Sequence, residues 1–102
     1  MSAIEAAGGR AALVQADLAI EAETAGLVAA AGASFGQPVS LLVNSASVFD
    51  DDSAANHTRD GWDKHMETNL RAPVHLAQQL ANGLPDAERG LVINLVDPRV
   101  WK

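Results

Sequence analysis

Pro38-Val39-Ser40-Leu41-Leu42-Val43-Asn44-Ser45 is the stretch on which the fold turns. Pro38 cannot continue a helix, residues 39–43 are aliphatic apart from Ser40, and Asn44-Ser45 supplies a polar stop. The segment therefore reads as a short strand, and its near-continuous hydrophobicity suits a parallel strand covered on both faces. Toward the C-terminus, Asp50-Asp51-Asp52-Ser53 opens a polar loop that runs to about Thr58. Residues 59–84 then place Trp62, Met66, Leu70, Val74, Ala77 and Leu80 three or four apart, the spacing of one helical face, which predicts the longest element of the chain. Leu84-Pro85 and Gly90 bracket a turn, after which Leu91-Val92-Ile93-Asn94-Leu95-Val96 is another buried strand ending at Asp97-Pro98.

Toward the N-terminus, residues 21–35 carry Ala25, Leu27, Val28, Ala31 and Phe35 at helical spacing, with Glu21 and Glu23 in the first turn and Gly36 at the end. Before that helix, Ala11-Ala12-Leu13-Val14-Gln15-Ala16 is a third apolar run of strand length that ends at Asp17. Residues 3–7 have helical composition and close on Gly8-Gly9, the residue type that tolerates positive φ at a helix end. Helix tail, strand, helix, strand, long helix, strand is the alternation of right-handed βαβ units. The fold class is α/β: one partial domain over residues 1–102, with a parallel sheet of about three strands and flanking helices.

The chain has 102 residues, enough for one core, and 48% of them are hydrophobic. Because 20 of these are Ala, large side chains are fewer than that fraction suggests and stability is expected to be marginal. There is no Cys, hence no disulfide framework and no thiolate metal site, and no basic-then-apolar leader stands at the N-terminus, which points to a cytoplasmic protein. The net charge of -6 argues against a grip on phosphate backbones, so nucleic acid is not an expected partner. No apolar run approaches the ~20 residues of a membrane span. His57, His65 and His75 are spaced eight and ten apart, not four, so no metal site is expected of them or of the acidic loop.

Three stretches, in one order and at consistent distances, resemble the short-chain dehydrogenase/reductase family. Ala16-Asp17-Leu18 resembles the strand end whose acidic residue and following apolar residue contact the adenine ring. Leu42-Val43-Asn44-Ser45-Ala46-Ser47 is similar to the family's Asn-Asn-Ala-Gly motif, with Ser in its second and fourth places. Met66-Glu67-Thr68-Asn69-Leu70-Arg71-Ala72-Pro73 resembles the segment that carries the Asn of the catalytic tetrad. Asp97, where most members have Ser, is similar to the pteridine and dihydrofolate reductase branch. The resemblance implies a Rossmann-like parallel sheet, NADP (or NAD) as cofactor and a pterin-like substrate. It implies cofactor contacts at Asp17, Leu18, Asn44, Ser45 and Ala46, and catalytic roles for Asn69 and Asp97.

Each of these residues also has a structural reading. Pro73 lacks the N–H that would bond the Asn69 carbonyl, so that carbonyl is left to hold a relay water or simply marks a kink. Asp97 stands at the carboxyl end of a strand, where open α/β sheets bind ligands, yet Asp before Pro is also a common turn. Asn44 can terminate its strand while shaping a crevice, and Asp17 can cap a helix as readily as it can meet an adenine.

Two parts of the family's machinery find no counterpart. No Gly-x-Gly-x-x-Gly loop joins a strand to a helix, and the chain contains no Tyr for a Tyr-x-x-x-Lys pair. The isolated chain is therefore expected to be an internal fragment that does not transfer hydride. In the family's sheet the strand at residues 11–16 is separated from the other two by strands this chain lacks, so open edges, strand exchange or dimerisation are expected. The alternative function is a non-enzymatic interaction module that self-associates through the 59–84 helix, with Trp62, Met66, Leu70, Val74 and Ala77 as its contact stripe.

Overall fold

Leu41 to Asn44 do form a strand, β1 (Leu41–Asn44), in the computed structural model, which describes residues 2–48 and 53–96. It pairs in parallel with β2 (Leu91–Asn94), with Leu41 opposite Leu91 and Asn44 opposite Asn94. The ladder runs one residue further at each end, where the Leu91 N–H donates to the Ser40 carbonyl at 2.9 Å and the Leu95 N–H to the Asn44 carbonyl at 3.0 Å. The α/β class and the parallel pairing are as the sequence predicts.

Among the described residues the sheet has two strands rather than about three. Residues 11–16 run without helix, turn or bend but have no strand partner, and Leu13 is 81% exposed. An apolar run marks a segment that can enter a sheet; only a neighbouring strand makes it one.

The helix that packs on the sheet is α5 (Ala72–Gly83), and α2 (Glu21–Thr24) and α3 (Leu27–Phe35) pack on α5. The helix expected over residues 21–35 is in fact these two, α2 and α3, parted at Ala25-Gly26. α1 (Ser2–Ala6) is the short helix before Gly8, whose φ of 86° closes it. α3 ends on Gly36 at φ 69°, a left-handed position that a Cβ disfavours, with the Gly36 N–H bonded to the Gly32 carbonyl.

The long helical segment begins at α4 (Arg59–Met66), capped by Thr58, whose hydroxyl accepts the Gly61 N–H at 3.0 Å. It passes through a five-residue π turn, Glu67–Arg71, into α5 (Ala72–Gly83). In the π turn the Ala72 N–H reaches back five residues to the Glu67 carbonyl. Pro73 accounts for this widening, because a residue without an N–H interrupts the regular four-residue ladder just there.

α5 is the centre of the packing. It contacts β1, α2 and α3, and its Ala72, Leu76 and Leu80 are buried together with Thr24 and Thr68. Alternation along the strands turns Leu42 and Val92, both half-buried, to the α5 side, and leaves Leu41, Val43, Leu91 and Ile93 on a bare face. The result is open: the radius of gyration is 16.0 Å, against about 13 Å for a compact chain of roughly 100 residues. No described helix is long and apolar enough to cross a membrane.

Candidate functional site

Both strands of the sheet end in Asn, and their side chains meet at the carboxyl edge. Asn44 Nδ2 donates to Asn94 Oδ1 at 2.8 Å, so two neighbours in register close the ladder with a side-chain bond as well as a main-chain one. Beyond Asn44 the chain runs through Ser45 and Ala46, both exposed, to Val48. In an open parallel sheet the crevice outside this edge is where ligands sit.

Asn69 comes to this edge from the π turn. Its side-chain amide pairs with Val48 in both directions, Nδ2 donating to the Val48 carbonyl and Oδ1 accepting the Val48 N–H, each at 2.8 Å. The Asn69 side chain therefore fixes the loop after β1, and its main-chain carbonyl stays one turn before Pro73. The widened turn supports that arrangement, since a π bulge re-aims the residues it carries.

The π turn is anchored on its other side by Arg71. The guanidinium bonds the Glu67 carboxylate at 3.2 Å through Nη1 and the Glu21 carboxylate through Nη2, tying the turn to the start of α2. Its pKa is raised further: desolvation works against this, and the charges of Glu21 and Glu67, together with their hydrogen bonds, outweigh it.

Asp17 and Leu18 lie just ahead of α2. The Asp17 carboxylate accepts the Ala19 N–H at 2.9 Å, while its own N–H donates to Glu23 Oε1 at 3.0 Å. One carboxylate oxygen thus braces the turn ahead of α2 rather than capping the helix, whose N-cap is Ile20 without a side-chain cap bond. Asp97 lies outside the described residues.

The structure connects Asn44 to Asn94 and Asn69 to the loop that starts at Ser45, and it leaves Asp17 and Leu18 in a separate turn ahead of α2, which Arg71 ties to the π turn through Glu21. The sequence reading missed Asn94 and Arg71. Asn94 had a signal in the matching endings Leu-Leu-Val-Asn and Leu-Val-Ile-Asn, and Arg71 had one in its four-residue offset from Glu67. Its bond to Glu21, fifty residues away, had none. No group of three or more metal-ligating side chains forms among the described residues.

The short chain dehydrogenase family model matches residues 1–96. The chain belongs to that family. A short-chain dehydrogenase/reductase of Cladobotryum sp, FrzI, is 32% identical over 92 residues, covering 90% of this chain and 34% of that protein. The crystal structure of FolM alternative dihydrofolate reductase 1 from Brucella canis with NADP is 40% identical, with a TM-score of 0.89 over 98% of this chain and 40% of that one. A short chain dehydrogenase from Burkholderia cenocepacia, also in complex with NADP, is 31% identical with a TM-score of 0.80 over 91% of this chain and 37% of that one. The chain thus spans well under half the length of the relatives it matches, and its fold superposes on part of the Rossmann-like unit of the two solved structures.

Proposed function

We propose that this chain is the part of an NADP-dependent short-chain oxidoreductase that holds the adenosine end of the cofactor and the relay Asn, with a pterin-like compound as the substrate of the whole enzyme. The observation that carries the reading is the two-way bond between Asn69 and Val48, which holds the one tetrad residue in the chain against the loop at the carboxyl edge of the sheet. The 40% identity to a FolM structure that contains NADP supports the cofactor and the substrate class.

The residues fit the cofactor in part. NADPH, when bound, supplies the hydride from its nicotinamide ring. Asp17 keeps acceptor capacity beyond its bond to Ala19, enough for an adenine amino group, and Leu18 offers an apolar side chain beside it. The exposed Ser45 and Ala46, steadied by Asn44 and Asn94 behind them and by Asn69 beyond, form one wall of the crevice. The Asn69 carbonyl, deprived of a donor by Pro73, holds a water that passes a proton toward the substrate. Asp97, three residues beyond β2 in the sequence, is assigned to the pterin ring as a proton donor or hydrogen-bond partner on the strength of the family resemblance. The chain offers no Gly-rich cradle for the pyrophosphate and no Tyr, so it does not reduce substrate alone. The same reading assigns it to the cytoplasm.

Isothermal titration with NADPH tests this. Saturable binding, weakened by Asp17→Ala and with no turnover of NADPH in the presence of a dihydropterin, is the expected result. An absence of binding heat overturns the cofactor assignment for this chain.

A second reading rests on a separate observation. Trp62, Met66, Leu70 and Val74 recur four residues apart and are 40–63% exposed, a continuous apolar stripe along the long helix. On this reading the chain is a non-enzymatic module that self-associates through the 59–84 helix.

A further inference from the structure

One edge, one groove and one strand-length segment of this molecule match each other without meeting. In a parallel ladder the N–H and C=O of a residue point to the same side, and successive residues point to opposite sides. Ser40 and Asn44 accept hydrogen bonds from Leu91 and Leu95, so the main-chain groups of Leu42 also face β2. Those of Leu41 and Val43 face the other way, along an edge with no partner strand among the described residues.

Two grooves flank α5 near the beginnings of the strands. One, bordered by Leu80, Leu84, Gly90 and Val92, lies on the β2 side. The other, of about 620 Å³, lies on the β1 side, between Ala29, Gly32 and Ala33 of α3, Gln79 of α5, and Pro38-Val39 just ahead of β1. No charged side chain lines it. Small residues on α3 let a polypeptide backbone approach closely, which is what a strand lying beneath a helix requires.

Residues 11–16 have the complementary character. They carry no charge, run without helix, turn or bend, and expose Leu13 at 81% and Val14 at 45%. They lead directly into α2, which is fixed at its start by the Asp17 N–H to Glu23 bond and by Arg71 on Glu21, and behind by Gln79 on the Thr24 carbonyl. With α2 so fixed, residues 11–16 do not pair with their own β1 among the described residues, and a second copy carries the same edge.

We propose that two copies of the chain exchange this segment: residues 11–16 of each add as a strand to the Leu41/Val43 edge of the other, along the groove under α3. The area available is sufficient. The accessible surface of 7683 Å² exceeds by roughly 2,000 Å² that of a compact monomer of this mass. A stable interface takes about 800 Å² from each partner. A reciprocal swap uses the same patch on both copies and so closes as a two-fold dimer. This inference does not depend on cofactor binding.

Light scattering across a concentration series tests it. The wild type and Val14→Thr are expected at twice the chain mass, and Val14→Pro at half that, because proline removes the ladder donor from the exchanged strand. Within one copy residue 14 lies in no helix and has no strand partner, so the helical circular dichroism of Val14→Pro is expected to stay as in wild type. A wild type that is monomeric at every concentration overturns the proposal. So does a dimer that survives Val14→Pro, and if Leu70→Lys dissolves that dimer, association belongs to the helical stripe instead. Should Val14→Pro alter the fold, hydrogen exchange of the wild type decides. Protection of the Leu41 and Val43 amides that grows with protein concentration supports the exchange, and protection independent of concentration overturns it.

Discussion

The side-chain amide of Asn69 and the main chain of Val48 hold each other in both directions at 2.8 Å, in the geometry by which two strand residues would pair. A single side chain thus replaces a short piece of sheet ladder between the π turn and the loop after β1. Asn69→Ala is expected to cost about 1–2 kcal/mol, two ordinary hydrogen bonds in a half-exposed setting where water recovers part of the loss. Asn69→Asp keeps the acceptor for the Val48 N–H but faces its carbonyl with a carboxylate oxygen, so the Val48 pairing weakens there too. Urea titration gives the first quantity, and faster exchange of the Val48 amide reports the second. An Asn69→Ala chain with unchanged Val48 exchange would remove the basis for the proposed site.

Pro73 sets the phase of that contact. Restoring an N–H with Pro73→Ala is expected to let the π turn relax to a regular α-helix, with the Ala72 N–H returning to a carbonyl four residues back. Asn69 then rotates away from Val48. The signature is a protected amide at position 73 together with lost protection at Val48, read by hydrogen exchange. Retention of both contacts would show that the π turn has another cause.

Gln79 bridges the break between α2 and α3. Its Oε1 accepts the Val28 N–H at 3.1 Å and its Nε2 donates to the Thr24 carbonyl at 2.9 Å, both part-buried. These are backbone groups that a continuous helix would have satisfied itself. Gln79→Ala is expected to destabilise the chain by roughly 2–3 kcal/mol, since it orphans a donor and an acceptor away from water. Gln79→Glu keeps only the acceptor and should lie between Ala and wild type in a thermal melt.

Two glycines should respond for different reasons. Gly36→Ala forces a Cβ onto a left-handed residue at φ 69° with open space around it, which costs about 1 kcal/mol through the backbone alone. Gly90→Ala places a Cβ 2.6 Å from Leu84 Cδ1 and 2.7 Å from Leu80 Cδ2. Those side chains must move, at about 1–3 kcal/mol. Leu80→Ala in the Gly90→Ala background should recover part of that loss, whereas it should add its full cost in the Gly36→Ala background. A denaturant double-mutant cycle checks the contrast.

Arg71 spans Glu21 and Glu67, with side chains 27–62% exposed. Exposed pairs of this kind contribute little, so Arg71→Met is expected to lower the urea midpoint only slightly at low salt and not measurably at about 1 M salt. A salt-independent loss in the urea midpoint would mean that packing of the stem, not charge, is what Arg71 provides.

The sequence by itself determined the identity of nearly every element, because each rests on local chemistry. Hydrophobic periodicity named the 59–84 helix, Asn44 stopped one apolar run, Thr58 and Gly36 bounded helices, and Pro73 announced a disturbance one turn after Asn69, whereas the strand read as far as Val96 ends at Asn94. The family was equally legible, in motifs that are contiguous stretches. Tertiary structure decided what those elements touch. Whether residues 11–16 become a strand depends on a neighbour at the sheet edge, and the described chain supplies none. Whether residues 21–35 form one helix or two depends on Gln79, which is distant in sequence and makes a break at Gly26 tolerable by bonding both of its sides. The Asn69–Val48 and Arg71–Glu21 contacts join positions 21 and 50 residues apart. No local pattern encodes such a pairing, since it exists only once α5 has packed against β1 and α2 and brought both partners within hydrogen-bonding reach.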